Sequence, residues 1–312
     1  MKQKKAIEMG FNWLFAIIAG GFILFIAIYT AGTLINVFQK EQGTVTSKRF
    51  ISNFDPLATG FAAGEGNNGI TFNKNSRFYF ECDELLNPPF GRETISFSEQ
   101  TFGKKWSDRS DQVPIKDKYI FSEDALEGKK FFMISFPFSM PFTIAEVIII
   151  SSSSYCFYDA PYKIRENVED LSMGNVVFPN LSSEKCTGVK VCFSGGSKCD
   201  ARVSLGGSYV EKDGEKMYYY DNLLYGAIFS SPEIYECNVK RLMNKMYELG
   251  QVYNQKIKII ERTGCEAKIG LKLNAITSSA KNITNSQALI FLGNQADEIN
   301  IINDEAGGCR LY

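Results

Sequence analysis

The longest hydrophobic segment of the chain lies near its amino end. From Trp13 to Tyr29 every residue is apolar, aromatic or glycine. The segment extends from Phe11 to Phe38 if four polar interruptions are allowed, at Asn12, Thr30, Thr33 and Asn36. A helix rises about 1.5 Å per residue and the hydrocarbon core of a bilayer is about 30 Å thick, so about 20 apolar residues suffice to cross it. The pattern therefore predicts a transmembrane helix over residues 11–38, after a short amino terminus of residues 1–10.

Charges beside this segment predict its orientation. Three lysines within residues 2–5 oppose the single acid Glu8, whereas Lys40 and Glu41 on the far flank cancel. Short flanks rich in Lys and Arg stay on the cytoplasmic side. We therefore expect a single-pass protein of the cell membrane, in contact with lipid, with a cytoplasmic amino terminus and an extracytoplasmic body.

A cleaved secretory signal is the alternative interpretation of this segment. Its apolar stretch is longer than the 7–15 residues typical of such signals, and no A-x-A pattern follows it. An uncleaved anchor is favoured. Small residues at Ala16, Gly20, Ala27 and Ala31 lie near one face of the predicted helix and would let another membrane helix pack closely, although plain lipid-facing composition explains them equally well.

The pattern changes to β-strands between about residue 50 and residue 220. Stretches such as ITFNKNSRFYFEC and EVIIISSSSYCFY mix branched and aromatic residues and are separated by turn residues. The pair Asp213 and Gly214, between YVEK and EKMYYY, predicts a tight hairpin because both residues tolerate positive φ. Residues 39–220 are therefore predicted to form a β-rich extracytoplasmic domain.

Helical spacing replaces strand spacing after residue 220. Ser231, Pro232 and Glu233 supply an N-cap, a first-turn proline and a first-turn acid. The apolar stripe that follows, before Gly264, comprises Tyr235, Val239, Leu242, Met246, Leu249, Tyr253, Ile257 and Ile260. We expect shorter helices at residues 269–280 and 287–302 to cover this stripe, with an intermolecular coiled coil as the alternative. Residues 221–312 thus form a predicted helical hairpin or bundle packed on the β-rich domain, and the fold class is α+β.

The chain has eight cysteines and no histidine. An even cysteine count outside the cytoplasm favours disulfides, and the zinc alternative lacks a C-x-x-C pair. Cys192 and Cys199 lie symmetrically about two glycines, so a hairpin there predicts that they pair. A second predicted pair joins Cys237 to Cys309 across an antiparallel return of the helices. The partners of the remaining cysteines stay open, and these are Cys82, Cys156, Cys186 and Cys265.

Composition narrows the candidate chemistry. Without histidine the chain has no histidine base to activate a nucleophile. The glycine-rich GEGNNG lacks the Lys and Ser or Thr of a phosphate-binding loop, so we predict no cofactor, and the acids near the carboxyl end lack the spacing of a calcium loop. A net charge of −1 gives no basic field for nucleic acid.

Asn180 and Asn282 match the N-glycosylation pattern of a surface glycoprotein.

The stretch AIFSSPEIYECNVKRLMNKM, the terminal CRLY, the hairpin VEKDGEKMYYY and the opening FNWLFAIIAGGFILF resemble uncharacterised single-pass membrane proteins of small-genome archaea. The resemblance implies an amino-terminal anchor joined to an extracytoplasmic α+β domain with paired cysteines, and it implies no activity. A weaker likeness is to archaeal type IV pilins, in which a basic leader precedes a long apolar helix. Phe15 stands where a pilin-like glutamate would fall after cleavage at Gly10.

These patterns predict a non-catalytic binding or assembly protein of the cell surface, which contacts other membrane or surface proteins or associates with itself. Two alternatives remain open. One is a pilin-like filament subunit, and the other is a membrane-tethered hydrolase that works without histidine through carboxylates or a Ser and Lys pair.

Overall fold

The structure is a computed structural model that describes residues 11–58, 67–83, 90–171, 173–179, 186–194, 198–262, 264–265 and 269–312. Its α-helices are α1 (Phe11–Ser52), α2 (Phe54–Ala58), α3 (Tyr162–Asp170), α4 (Leu223–Phe229), α5 (Pro232–Arg262), α6 (Gly270–Ala280) and α7 (Ala288–Glu305). Its strands are β1 (Asn67–Asp83), β2 (Arg92–Glu99), β3 (Val113–Ile115), β4 (Tyr119–Phe121), β5 (Ala125–Ser139), β6 (Thr143–Ser151), β7 (Tyr155–Tyr158), β8 (Val176–Val177), β9 (Val189–Cys192), β10 (Ala201–Ser204), β11 (Tyr209–Lys212) and β12 (Glu215–Tyr218). The mixed α+β class, the long apolar first helix, the sheet-rich body and the carboxyl-terminal helices are confirmed.

The strands form two six-stranded sheets. The first has the order β3-β2-β1-β5-β6-β4 and the second β12-β11-β10-β9-β7-β8. Neighbours in the first sheet are antiparallel except β4 beside β6, whereas β7, β8, β9 and β10 of the second sheet pair in parallel. Helices α4 and α5 contact strands of both sheets, so helices and sheets share one body.

Strand β6 of the first sheet is buried on both faces. On β6, Val147 and Ile149 point into the core shared with the second sheet and helices α4–α7. Their neighbours Ile148 and Ile150 point into a second core, formed with the end of α1 and with α2. Strands buried on both faces have continuous apolar runs, and this explains the uninterrupted VIII sequence of β6.

Helix α1 is longer than the sequence predicted. It continues past Phe38 without a break to Ser52, so residues 39–52 are helical and do not start the β-rich domain. The prediction of its end was wrong because it followed the loss of hydropathy, whereas tertiary packing maintains the helix. Gly43 lies against Ser110, and Phe50 stacks on Phe78 with 4.0 Å between ring centroids.

The hairpin at Asp213 and Gly214 is confirmed. It joins β11 to β12, and the two turn residues have φ angles of 54° and 82°. Positive φ at both central positions matches the strand twist of a two-residue hairpin. This local prediction succeeded because it depends on two residues and on no distant contact.

The carboxyl-terminal helices fold as a three-helix unit. Helix α6 runs back along α5, since Gly250 faces Thr277 and Ile257 faces Gly270. Helix α7 then returns, because Ser286 before it contacts Glu236. The stripe of α5 predicted from sequence is buried or half-buried within the protein, which confirms intramolecular packing over its whole length.

Four disulfides join all eight cysteines, namely Cys82–Cys237, Cys156–Cys186, Cys192–Cys199 and Cys265–Cys309. The pairing of Cys192 with Cys199 is confirmed. The strands that flank this pair are parallel, however, and do not form the expected antiparallel hairpin. The predicted turn residues Gly195 and Gly196 lie outside the described residues.

The predicted pair between Cys237 and Cys309 is wrong. Two helices follow α5, so the chain reverses twice and Cys309 returns to the carboxyl end of α5, where Cys265 lies. Cys237 is in the second turn of α5 and bonds to Cys82 on β1. A 31-residue helix separates the two ends by about 45 Å, which no disulfide spans.

Loop length ranks the disulfides by their expected contribution to stability. In the chain-entropy model the 155-residue separation of Cys82 and Cys237 corresponds to about 5 kcal/mol, and the 7-residue separation of Cys192 and Cys199 to roughly 2 kcal/mol. We expect Cys82→Ser/Cys237→Ser to lower the free energy of unfolding by about 2–3 kcal/mol more than Cys192→Ser/Cys199→Ser. Denaturant titration of both double variants measures the difference, and equal losses would contradict the ranking.

Candidate functional site

A groove of about 830 Å³ opens between β1, β2 and the amino-terminal turns of α5. It is lined by Phe80, Glu81, Cys82, Asp83, Arg92, Thr94, Gln112, Asp124, Glu215, Pro232, Glu233, Ile234, Glu236, Cys237 and Lys240. Its volume falls in the range of ligand-binding clefts. We take this groove as the candidate site.

The groove exists because β1 outruns one of its neighbours. Pairing of β1 with β5 ends at Tyr79 and Ala125, whereas its pairing with β2 continues to Asp83. The last residues of β1 therefore extend past the end of β5 toward α5. The Cys82–Cys237 disulfide bridges this projection to the helix and fixes the two walls of the groove at a Cα separation of 6.1 Å.

Acidic residues outnumber basic ones in the groove. The acids are Glu81, Asp83, Asp124, Glu215, Glu233 and Glu236, and the bases are Arg92 and Lys240. A concave surface with an excess of one sign of charge attracts ligands of the opposite sign. The groove therefore favours a cationic group over an anionic one.

Protein groups hold several of these carboxylates in place. Glu236 accepts hydrogen bonds from the backbone N–H of Ser286 at 2.7 Å and from its hydroxyl. Asp124 accepts the Ser231 hydroxyl, and Glu81 accepts Gln112 Nε2 at 2.6 Å. Burial raises the pKa of Glu236, and the nearby Glu215 carboxylate acts in the same direction. These contacts fix the charges in place.

Metal chemistry receives no support from the described part of the chain. There, no three cysteine, aspartate or glutamate side chains come close enough together to hold a metal ion. All eight cysteines are engaged in disulfides. The groove therefore has a negative electrostatic field from fixed carboxylates, but its described residues do not form a set of metal ligands.

A buried ion pair holds α5 against the first sheet beside the groove. Arg241 donates from Nη1 to Glu93 Oε2 at 3.0 Å and to Asn238 Oδ1 at 2.6 Å. Its Nε and Nη2 donate to the backbone oxygens of Phe90 and Lys118, at 2.8 and 3.1 Å. Arg241 is 2% exposed and Glu93 is fully buried. The guanidinium thus ties two segments of chain, residues 90–93 and Lys118, to one helix.

Burial has the largest effect on the pKa of the Glu93 carboxyl group. It raises the pKa of this carboxyl from its ordinary 4.5 to about 7, although the Arg241 guanidinium and the backbone N–H of Ile120 act in the opposite direction. One carboxylate oxygen, Oε1, has no hydrogen-bond partner. The incomplete solvation of this buried anion accounts for the direction of the shift.

The structure places the other predicted site residues as follows. Ala16, Gly20, Ala27 and Ala31 are all exposed on α1, in agreement with either a lipid-facing or a helix-packing role. Asn282 is exposed in the turn after α6, where an oligosaccharide would fit, and Asn180 lies outside the described residues. The serine run begins at Ser151, the last residue of β6, as expected of a strand end.

The groove and the ion pair were not predicted from the sequence. The acids of the groove come from separate segments, and only the fold brings them together. Arg241 and Asn238 did leave a signal, because they are polar residues three apart that alternate with the apolar residues Val239 and Leu242 on α5, and the structure shows that both are buried. Polar positions on an otherwise buried helix face point to a buried partner.

No protein-family model, no curated protein and no solved structure matches the chain. The archaeal resemblance of the sequence therefore remains a prediction.

Titration of Glu93 makes stability depend on pH. Its pKa is higher in the folded than in the unfolded state, so the folded state binds more protons between pH 4.5 and about 7. The free energy of unfolding should fall as pH rises through this window, by roughly 3 kcal/mol at about 1.4 kcal/mol per pH unit. Glu236 adds a slope of the same sign. Glu93→Gln should remove the larger part of this pH dependence of the free energy of unfolding, as measured by urea unfolding between pH 4 and 8.

Glu99→Gln is the matched control, because Glu99 lies on the same strand and pairs with Lys74 at the surface. This variant should keep the slope of the wild-type protein. An unchanged slope in Glu93→Gln would contradict the account of the buried pair.

Proposed function

We propose that this protein is a membrane-anchored binding or assembly protein, with α1 spanning the membrane and the disulfide-bonded body outside the cytoplasm. The observation that carries the proposal is α1. Among the described residues, one helix is long and apolar enough to cross a membrane, and α1 forms most of it. None of its apolar stretch is buried inside the protein. Exposed apolar surface of this extent needs a lipid or protein environment.

The four disulfides support the extracytoplasmic placement of the body. Cysteines persist as disulfides in oxidising compartments and stay reduced in the cytosol of most organisms. The body is also rigid, because the Cys82–Cys237 disulfide and the Arg241–Glu93 pair join α5 to the first sheet. A rigid surface suits presentation to a partner, and the groove is a concave part of that surface.

A filament subunit is the second candidate. The observation in its favour is the division of α1 into an exposed apolar part and a part from Gly43 onward that packs on a sheet. Such a helix suits packing beside copies of itself in a filament core. The apolar Phe15 speaks against the pilin type of processing, and the intact mass of the mature protein would show any cleavage near Phe11.

The hydrolase alternative requires a concave cluster of carboxylates, and the groove has one. Glu81, Asp124 and Glu236 are each engaged by hydrogen bonds from protein groups, however. Carboxylates fixed in this way serve better as a charged binding surface than as a proton-transfer pair. Binding is therefore the function that this geometry supports best.

Chemical crosslinking on intact cells tests the proposal. With an amine-reactive reagent that does not cross membranes, lysines of the body such as Lys116 should crosslink to other membrane or surface proteins. Lysines in residues 2–5 should react only after the cells are permeabilised. Recovery of an uncrosslinked monomer alone, or equal reactivity of both sets of lysines in intact cells, would contradict the proposal.

Charge reversal tests the groove. Glu215 and Glu233 are exposed groove residues, and Glu215→Lys/Glu233→Lys should abolish the crosslink to the partner. Glu166→Lys/Glu169→Lys on α3 makes the same charge change outside the groove and should leave the crosslink intact. Equal yields from the two variants would show that the partner binds elsewhere on the body.

A further inference from the structure

The end of the apolar segment of α1 and the first contact of α1 with the body are close along the helix. Phe38, the last residue of the segment, is exposed. Lys40 already pairs with Asp111 at 2.7 Å. At Gly43 a side-chain Cβ would lie only 2.9 Å from Cβ of Ser110, so helix and body touch there.

This spacing matches the thickness of a headgroup layer. Five residues of helix, from Phe38 to Gly43, span about 7.5 Å. A bilayer of 40–45 Å in total has a hydrocarbon core of about 30 Å, so the headgroup region of each leaflet is about 5–8 Å thick. With Phe38 at the edge of the hydrocarbon, the contact at Ser110 falls within or directly above the headgroups.

The direction of the helix shows which end of the body faces the membrane. Lys40 on α1 contacts Asp111, just before β3, and Asp55 on α2 contacts Lys118, just after β3, at 2.8 Å. Residues before β3 therefore lie beside the part of α1 that is nearer the membrane, and residues after β3 lie beside the part that is farther away. Strand β2 runs antiparallel to β3, and Glu99 accepts a hydrogen bond from the backbone N–H of Ser107, so the end nearest the membrane is the whole segment that joins these strands, residues 100–112.

The attachment leaves no linker. Helix α1 is continuous to Ser52, and Phe50 near its end is 2% exposed in the second core. A body joined through an unbroken helix cannot turn about a flexible hinge. Its orientation at the membrane follows from the helix.

We propose that residues 100–112 and Lys40 form a lipid-contacting edge seated in the headgroup layer, so that the body rests on the membrane in one orientation. The proposal rests on insertion of α1, which is part of the proposed function. The edge presents both signs of charge, with Asp108 and Asp111 beside Lys40 and Arg109. This mixture suits zwitterionic phospholipid headgroups and requires no anionic lipid.

The groove opens beside this edge. Gln112 follows Asp111 and lines the groove, and Arg109 pairs with Glu81 of the groove at 3.3 Å. A partner in the groove is therefore close to the membrane surface. This position favours partners anchored in the same membrane.

Depth-dependent fluorescence quenching tests the edge. All eight native cysteines are paired, so an introduced cysteine is the single free thiol for a fluorophore. Asp108→Cys probes the edge, Lys116→Cys probes the opposite end of β3, and Thr33→Cys probes the span. The full oxidised chain is reconstituted in phosphatidylcholine vesicles that carry a nitroxide either on the headgroup or on the acyl chain.

We expect the headgroup nitroxide to quench the label at position 108 several-fold more than the label at 116, and the acyl-chain nitroxide to quench the label at 33. Equal quenching at 108 and 116, with strong quenching at 33, would overturn the edge while leaving insertion intact. Absence of quenching at 33 would overturn insertion and the edge together. Quenching at 108 that appears only after anionic lipid is added would overturn the proposed fit to zwitterionic headgroups.

Discussion

The packing of the end of α1 into the body is the constraint on which the rest of this structure depends. Phe50 stacks on Phe78, and Phe54 and Leu57 of α2 complete the same buried cluster beneath the first sheet. Without these side chains one face of that sheet would be open to water. The segment that carries the apolar helix is therefore also the segment that closes the second core, so anchoring and folding involve the same residues.

The opposite side of the first sheet packs on the second sheet and on helices α4–α7, and α5 is the longest of these helices. Its attachment combines an apolar stripe with one polar connection, in which Arg241 reaches Glu93 and two backbone carbonyls. A buried ion pair contributes little net stability, but loss of one partner typically costs about 3–5 kcal/mol because the other charge stays buried. The pair therefore fixes the position of α5 more than it strengthens the fold. That position, together with the Cys82–Cys237 bond, creates the groove.

How much of this could be read from the sequence depended on the range of the interactions. The hairpin at Asp213 and the start of α5 at Pro232 follow from local residue preferences, and both are where the sequence placed them. The end of α1 was misplaced because Gly43 and Phe50 are held in a helix by contacts with β1 and β2, which no local pattern reports.

The cysteines show the same limit. Cys192 and Cys199 are neighbours in sequence, and their pairing was predicted, although the geometry between them was not. The pairing of Cys237 depends on how often the chain reverses after α5, and one additional reversal changed its partner. The groove acids could not be predicted from local patterns at all, because β1, the segment between β4 and β5, β12 and α5 contribute them from distant parts of the sequence.

The central claim is that the apolar segment and the body form one rigid unit. A distance distribution between spin labels at Asn36→Cys and Lys116→Cys, measured by pulsed electron paramagnetic resonance on the oxidised full chain in vesicles, tests it most directly. The account predicts a single narrow distribution, as narrow as that of a pair placed entirely within the body, at Lys116→Cys and Glu169→Cys. A broad or multiple distribution confined to the pair that includes position 36 would show a hinge after Phe38 and would contradict the claim.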